Sequence, residues 1–174
     1  MKNQLLRYVN YSVVCQEVPN EISLAINITE CPHHCDGCHS DYLSESVGNY
    51  VNDDLPKLLE KYDGMITCVC FMGGDQHINN LNEWLCKIKN IYRLKTCVYS
   101  GADNKDIFKD SLEYLDYLKI GHYDKKMGGL DCKDTNQVFY KVIHLQSDTV
   151  LENVNYLFRK KIWLIPWQVN KNMI

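Results

Sequence analysis

Short apolar runs separated by helix-like stretches recur along this chain at roughly 25–30 residues per unit, the rhythm of β–α–β units in a parallel sheet. Residues 21–28 alternate polar and apolar side chains, the mark of a strand. Residues 65–72 are nearly all apolar, as in a strand buried on both faces. Residues 94–100, 117–121 and 138–144 read as third, fourth and fifth strands, and 161–166 as a sixth strand or a tail. Between them a helix opens at Asn52-Asp53-Asp54-Leu55-Pro56, where Asn or Asp caps and Pro56 occupies the first turn. Leu55, Leu58, Leu59 and Tyr62 share one face of it. Residues 78–91 form a second helix with Leu81, Trp84, Leu85 and Ile88 inward, and 105–115 a third. Residues 1–20 are a lead-in closed by Pro19. The expected fold is α/β: a partial, open (β/α) barrel of about five or six parallel strands, too few to close an eight-stranded barrel. Ligands of such sheets sit at the carboxyl ends of the strands. One domain is expected over residues 1–174, with its core at about 20–145 and a tail at 146–174.

Cys31-Pro32-His33-His34-Cys35-Asp36-Gly37-Cys38 follows the first of these strands directly, so it falls at a carboxyl end. Three thiolates in a C-x3-C-x2-C loop can each hold a corner of a [4Fe-4S] cubane, which needs four ligands, so one iron stays open. A zinc site closed by His33, His34 or His39 is the first rival reading, since structural zinc takes four protein ligands. Disulfide pairing is the second.

Nine cysteines do not make this a secreted scaffold: residues 1–8 lack the apolar stretch of a signal peptide, and an odd thiol count fits a reducing compartment. No run approaches the ~18 apolar residues of a membrane span. Net charge is −3 without a basic stripe, so nucleic-acid binding has no electrostatic support. A cytoplasmic protein is expected.

Two more stretches end strands. Phe71-Met72-Gly73-Gly74-Asp75 offers backbone that a ligand can approach closely and a carboxylate that can accept hydrogen bonds from an ammonium group. Tyr99-Ser100-Gly101 supplies a hydroxyl and a glycine, equally readable as a strand-to-helix cap. The polar loop 121–137 carries Gly128-Gly129-Leu130-Asp131 and Thr135-Asn136-Gln137.

The C-x3-C-x2-C loop resembles the signature of radical S-adenosylmethionine enzymes, in which the cofactor's amino and carboxylate groups bind the open iron. Gly73-Gly74-Asp75 resembles that family's Gly-Gly-Glu motif, with Asp75 standing for Glu, and Ser100 is similarly placed to a hydroxyl that touches the cofactor. The Gly-Gly-Leu-Asp…Thr-Asn-Gln pattern, with Asp36-Gly37 before the last cysteine, resembles the activating proteins of anaerobic ribonucleotide reductases. The likeness runs over about residues 20–145.

It implies a [4Fe-4S] cluster on Cys31, Cys35 and Cys38, and S-adenosylmethionine held by Gly73, Gly74, Asp75, Ser100 and Asn136. It further implies flavodoxin or ferredoxin as donor, and a glycyl radical made on the reductase's large subunit. Asn136 is assigned to the pocket or the partner interface. The ferredoxin-like insert of two-cluster activases is absent from the sequence, and of the remaining Cys15, Cys68, Cys70, Cys86, Cys97 and Cys132, the pair Cys68 and Cys70 shares one face of a strand and reads as small buried hydrophobes. The same chemistry on another glycyl-radical enzyme or a small molecule, and a non-catalytic zinc module, are the alternatives.

Overall fold

In the computed structural model, which describes residues 5–146 and 148–159, the chain forms one eight-stranded open sheet. The strands are β1 (Arg7–Val14), β2 (Ser23–Ile28), β3 (Asn49–Tyr50), β4 (Cys68–Met72), β5 (Lys95–Tyr99), β6 (Tyr117–Ile120), β7 (Val138–His144) and β8 (Thr149–Asn153). Their spatial order is β3-β1-β2-β4-β5-β6-β7-β8.

The expected parallel (β/α) barrel does not form. Only the central run β2-β4-β5-β6 is parallel, through three pairings, while the other four pairings are antiparallel. The reason lies in the connections. A parallel return needs a long crossover, usually helical. The links β2–β4 and β4–β5 contain the helices α1 (Val51–Lys61) and α2 (Ile78–Lys87). The link β5–β6 has only two 3-10 turns, Lys105–Phe108 and Leu112–Tyr114, and still returns parallel, whereas residues 121–137 hold no helical turn at all and β7 turns back beside β6. β8 then folds onto β7, with the Leu145 amide donating to the Asp148 carbonyl at 2.9 Å. At the other edge, the residues expected as a lead-in form β1 instead, antiparallel to β2. Residues 161–166, the sixth strand or tail of the sequence reading, lie outside the described residues.

Helix positions also shift. α1 starts at Val51 with Tyr50 as N-cap and no capping side chain, so Pro56 lies inside the helix. Asn52 accepts the Trp84 indole N–H at 2.9 Å rather than capping, which ties α1 to α2. α2 ends in a π-helical turn, Ile88–Tyr92. Residues 105–115 form two short 3-10 turns instead of a helix, Lys105–Phe108 and Leu112–Tyr114.

The two faces of the sheet differ. α1 and α2 cover one face, burying Leu55, Leu59, Leu81 and Leu85 against Ile26, Val69, Phe71 and Val98. The other face presents Ala25, Cys70, Cys97 and Tyr117, adjacent in register across β2, β4, β5 and β6. It is covered by Val18, Leu130 and Val154 from loops, which pack with Phe139 of β7 on the same face. Side chains two residues further along share that face. They form the row Asn27, Met72, Tyr99, Lys119 and Phe139, again adjacent in register. That row leads to the carboxyl ends of the parallel strands.

Candidate functional site

Each parallel strand delivers one piece of chemistry to its carboxyl end. β2 leads into the cysteine loop, β4 into Gly73-Gly74-Asp75, β5 into Ser100-Gly101, and β6 carries Lys119. These meet around a cavity of about 500 Å³, whose walls include Cys31, Cys35, Cys38, Gly73, Gly74, Asp75, Ser100 and Lys119. Sequence-distant residues expected to act together are thus brought together. Asn136 is the exception: it is not among the lining residues, whereas its neighbour Gln137 is. The Asn136 amide nitrogen donates to the His122 carbonyl at 3.0 Å, and its Oδ1 is buried without a partner.

The cysteine loop is anchored at its start, at His33 inside it, and by its own turn from Cys38 N–H to the Cys35 carbonyl at 3.2 Å. Cys31 N–H donates to the Leu43 carbonyl at 2.9 Å. His77 Nε2 meets Glu30 Oε2 at 2.5 Å, and Gln76 donates to the Thr29 carbonyl at 2.5 Å, so the turn after Asp75 grips the start of the loop. His34 and Gly37 take positive φ of 45° and 70°, which coils the loop tightly enough to turn all three thiols to one cavity. All three are free. Burial pushes the Cys31 thiol up, and Asp75, Cys35 and Cys38 add to that push, so a metal binding there must displace a proton.

Gly73 and Gly74 have φ of 116° and 117°, left-handed values that a side chain would strain. A Cβ on Gly73 would also come 3.3 Å from the Ile28 side chain of the neighbouring strand. The pair therefore brings β4's end close to the cysteine loop and turns Asp75 inward. Asp75 has 6% side-chain exposure. Its Oδ2 accepts a hydrogen bond from Ser100 Oγ and lies 2.6 Å from His33 Nε2. Its Oδ1 is buried with no partner. A buried carboxylate oxygen left unsatisfied costs on the order of 1–3 kcal/mol, more if charged, so a donor entering the cavity at Oδ1 would be favoured.

Lys119 is the residue that sequence reasoning missed. It is 8% exposed, and its Nζ donates to the Gly121 carbonyl at 2.6 Å and the Ser100 carbonyl at 3.3 Å, with no carboxylate in hydrogen-bond contact. Burial pulls its pKa down to about 8, a fall that Cys35 and Asp75 only partly oppose. The available signal was a lone lysine inside the otherwise apolar-faced strand 117–121. His33, a candidate fourth ligand in the zinc reading of the sequence, bridges to Asp75.

The remaining thiols behave as hydrophobes where they are buried. Cys68, Cys70 and Cys97 sit in the core, and burial drives the Cys68 and Cys97 thiols far up. None of the nine cysteines is disulfide-bonded. Among the described residues no three His, Cys, Asp or Glu side chains converge tightly enough to hold a single metal ion. Three free thiols around one cavity nevertheless form a suitable donor set for a polynuclear sulfide cluster, whose irons each take their own thiolate. Among the described residues no helix is long and apolar enough to cross a membrane. No protein-family model, curated protein or solved structure matches this chain.

Proposed function

We propose that this chain is a radical S-adenosylmethionine enzyme that activates the large subunit of an anaerobic ribonucleotide reductase. In this reading Cys31, Cys35 and Cys38 hold a [4Fe-4S] cluster and leave one iron to the cofactor. The observation that carries it is the unpartnered Asp75 Oδ1 buried in the same cavity as three free thiols. That oxygen is suited to accept an ammonium N–H, and the buried Lys119 ammonium supplies the opposite charge, so the cavity complements a zwitterionic amino-acid end.

A cluster held there, with a flavodoxin or ferredoxin as its donor, would supply the one-electron reductive cleavage of the cofactor by which a hydrogen atom is removed from a backbone glycine of the partner. The chain's own residues bind and orient. Asp75 fixes the amino end, and the glycine pair lets the backbone come close. Tyr99, whose hydroxyl donates to the Glu17 carbonyl, and Met72 form the cavity wall that keeps water from the reacting carbon. No side chain has to act as general base. The partner assignment draws on the loop 121–137, which carries the activase-like pattern and contributes Tyr123, Gly129 and Gln137 to the cavity.

Anaerobic reconstitution with iron and sulfide tests the cluster. The expected product is a brown protein with about four irons per chain, bleached by dithionite, and Cys35→Ala should stay colourless. A parent chain that takes up zinc alone contradicts the reading. The partner assignment is checked by a glycyl-radical resonance on the reductase subunit after mixing, and its absence with an active chain transfers the activity to another target.

A further inference from the structure

His33 lies between the first two cysteines, and its ring crosses to the end of β4, where Nε2 is 2.6 Å from Asp75 Oδ2. The ring rests on Gly101. A Cβ at that position would come within 2.6 Å of His33 Cδ2 and 2.8 Å of Cγ. The Gly101 backbone is not in the left-handed region that favours glycine, so the ring, and not the backbone, is what excludes a side chain there.

Ser100 Oγ bonds the same carboxylate oxygen. One oxygen of Asp75 is therefore held by two side chains from two different segments, while Oδ1 has no partner. A carboxylate free to rotate would spread its acceptor capacity over both oxygens. One pinned at Oδ2 keeps Oδ1 at a fixed place in the cavity wall. His33 also belongs to the loop that carries the thiols, so the bond sets the distance between the cysteines and the carboxylate.

We propose that His33 is a positioning residue for S-adenosylmethionine: it pins Asp75 from the cysteine loop so that the second carboxylate oxygen meets the cofactor's ammonium, and Gly101 is glycine in order to seat its ring. This rests on the reading of the cavity given above. His33 is not a ligand of the cluster and takes no part in the bond cleavage.

The test is a double-substitution cycle on the reconstituted full chain, reading iron content and, by calorimetry, S-adenosylmethionine affinity. His33→Ala should keep the parent's iron and weaken binding by about tenfold or more, the usual cost of losing an orienting partner behind a ligand contact. His33→Gln, whose amide N–H can reach the carboxylate, should recover part of the loss. Gly101→Ala touches neither thiol nor carboxylate, yet should weaken binding comparably by pushing the ring off its seat. In the His33→Ala background Gly101→Ala should add almost nothing, because the ring it displaces is gone.

Losses that simply add, a His33→Ala variant that binds like the parent, or iron lost in step with affinity would each overturn the proposal. A parent chain that takes up iron but does not bind S-adenosylmethionine removes the functional reading beneath it. Parent binding that the variants leave untouched removes this inference alone.

Discussion

The two ends of the parallel strands treat buried charge in opposite ways. At the amino ends, Glu21 is 5% exposed and accepts hydrogen bonds from Lys95 Nζ, from Thr67 Oγ1 at 2.7 Å and from the Tyr117 hydroxyl at 3.0 Å. Burial pushes its carboxyl up, but the bonds from Lys95, Thr67 and Tyr117 outweigh that and leave it below the usual carboxylate value. At the carboxyl ends, Asp75 keeps one oxygen unbonded and Lys119 hydrogen-bonds only to carbonyls among the described residues. Both sites are buried and both join neighbouring strands. The first is complete and reads as structure. The second is costly as it stands, and that incompleteness is what supports placing the proposed cofactor at this end.

The contrast predicts opposite signs on substitution. Glu21→Leu should have the largest effect, a loss of about 2–4 kcal/mol in denaturant unfolding, because three donors lose their acceptor. Its pH dependence follows from the lowered pKa. The stabilisation is present above the unfolded carboxylate value and is lost as pH falls through the lower folded one. Glu21→Gln should accordingly flatten the acid limb of the stability profile.

Lys119→Met should do the reverse and stabilise the ligand-free chain at neutral pH by about 1–3 kcal/mol, since a buried cation is removed whose nearby acidic groups only partly offset its burial. Here the folded pKa of about 8 lies below the ordinary 10.5. Between those values the unfolded chain holds a proton that the folded chain lacks, so the parent gains stability as pH rises through that window and the variant should not. The same substitution should weaken S-adenosylmethionine binding. A destabilised Lys119→Met would mean that the carboxyl end is as complete as the amino end.

Asp75→Asn should have the smallest effect on stability, within about 1 kcal/mol, because Oδ1 has no bond to lose. Its effect on cofactor affinity should be large. Thermal melts and calorimetry on one preparation separate the two.

The five strands that carry hydrophobic runs, β2 and β4 to β7, were legible in the sequence, since each run is local. β1 and β8 were not. β8 is largely exposed and lacks an apolar run, and β1 shows only a broken alternation. The direction of β7 was illegible for a different reason: direction depends on whether the preceding link crosses the sheet or turns back at its end, and the polar residues 122–137 gave no pattern that settled it. The site divides the same way. The thiols, the glycine pair and Asp75 announce themselves through spacing within a few residues. Lys119 and His33 gain their meaning from neighbours 19 and 42 residues away in sequence, supplied by strand register and by a loop folding across. Such contacts have no trace in the one-dimensional pattern.

The most direct measurement of the central claim is 5′-deoxyadenosine formation by the reconstituted, dithionite-reduced chain supplied with S-adenosylmethionine under anaerobic conditions. The account predicts that the parent releases 5′-deoxyadenosine with methionine and that Cys35→Ala releases none. A fully iron-loaded parent that leaves the cofactor intact, or a Cys35→Ala variant that still cleaves it, would contradict the account.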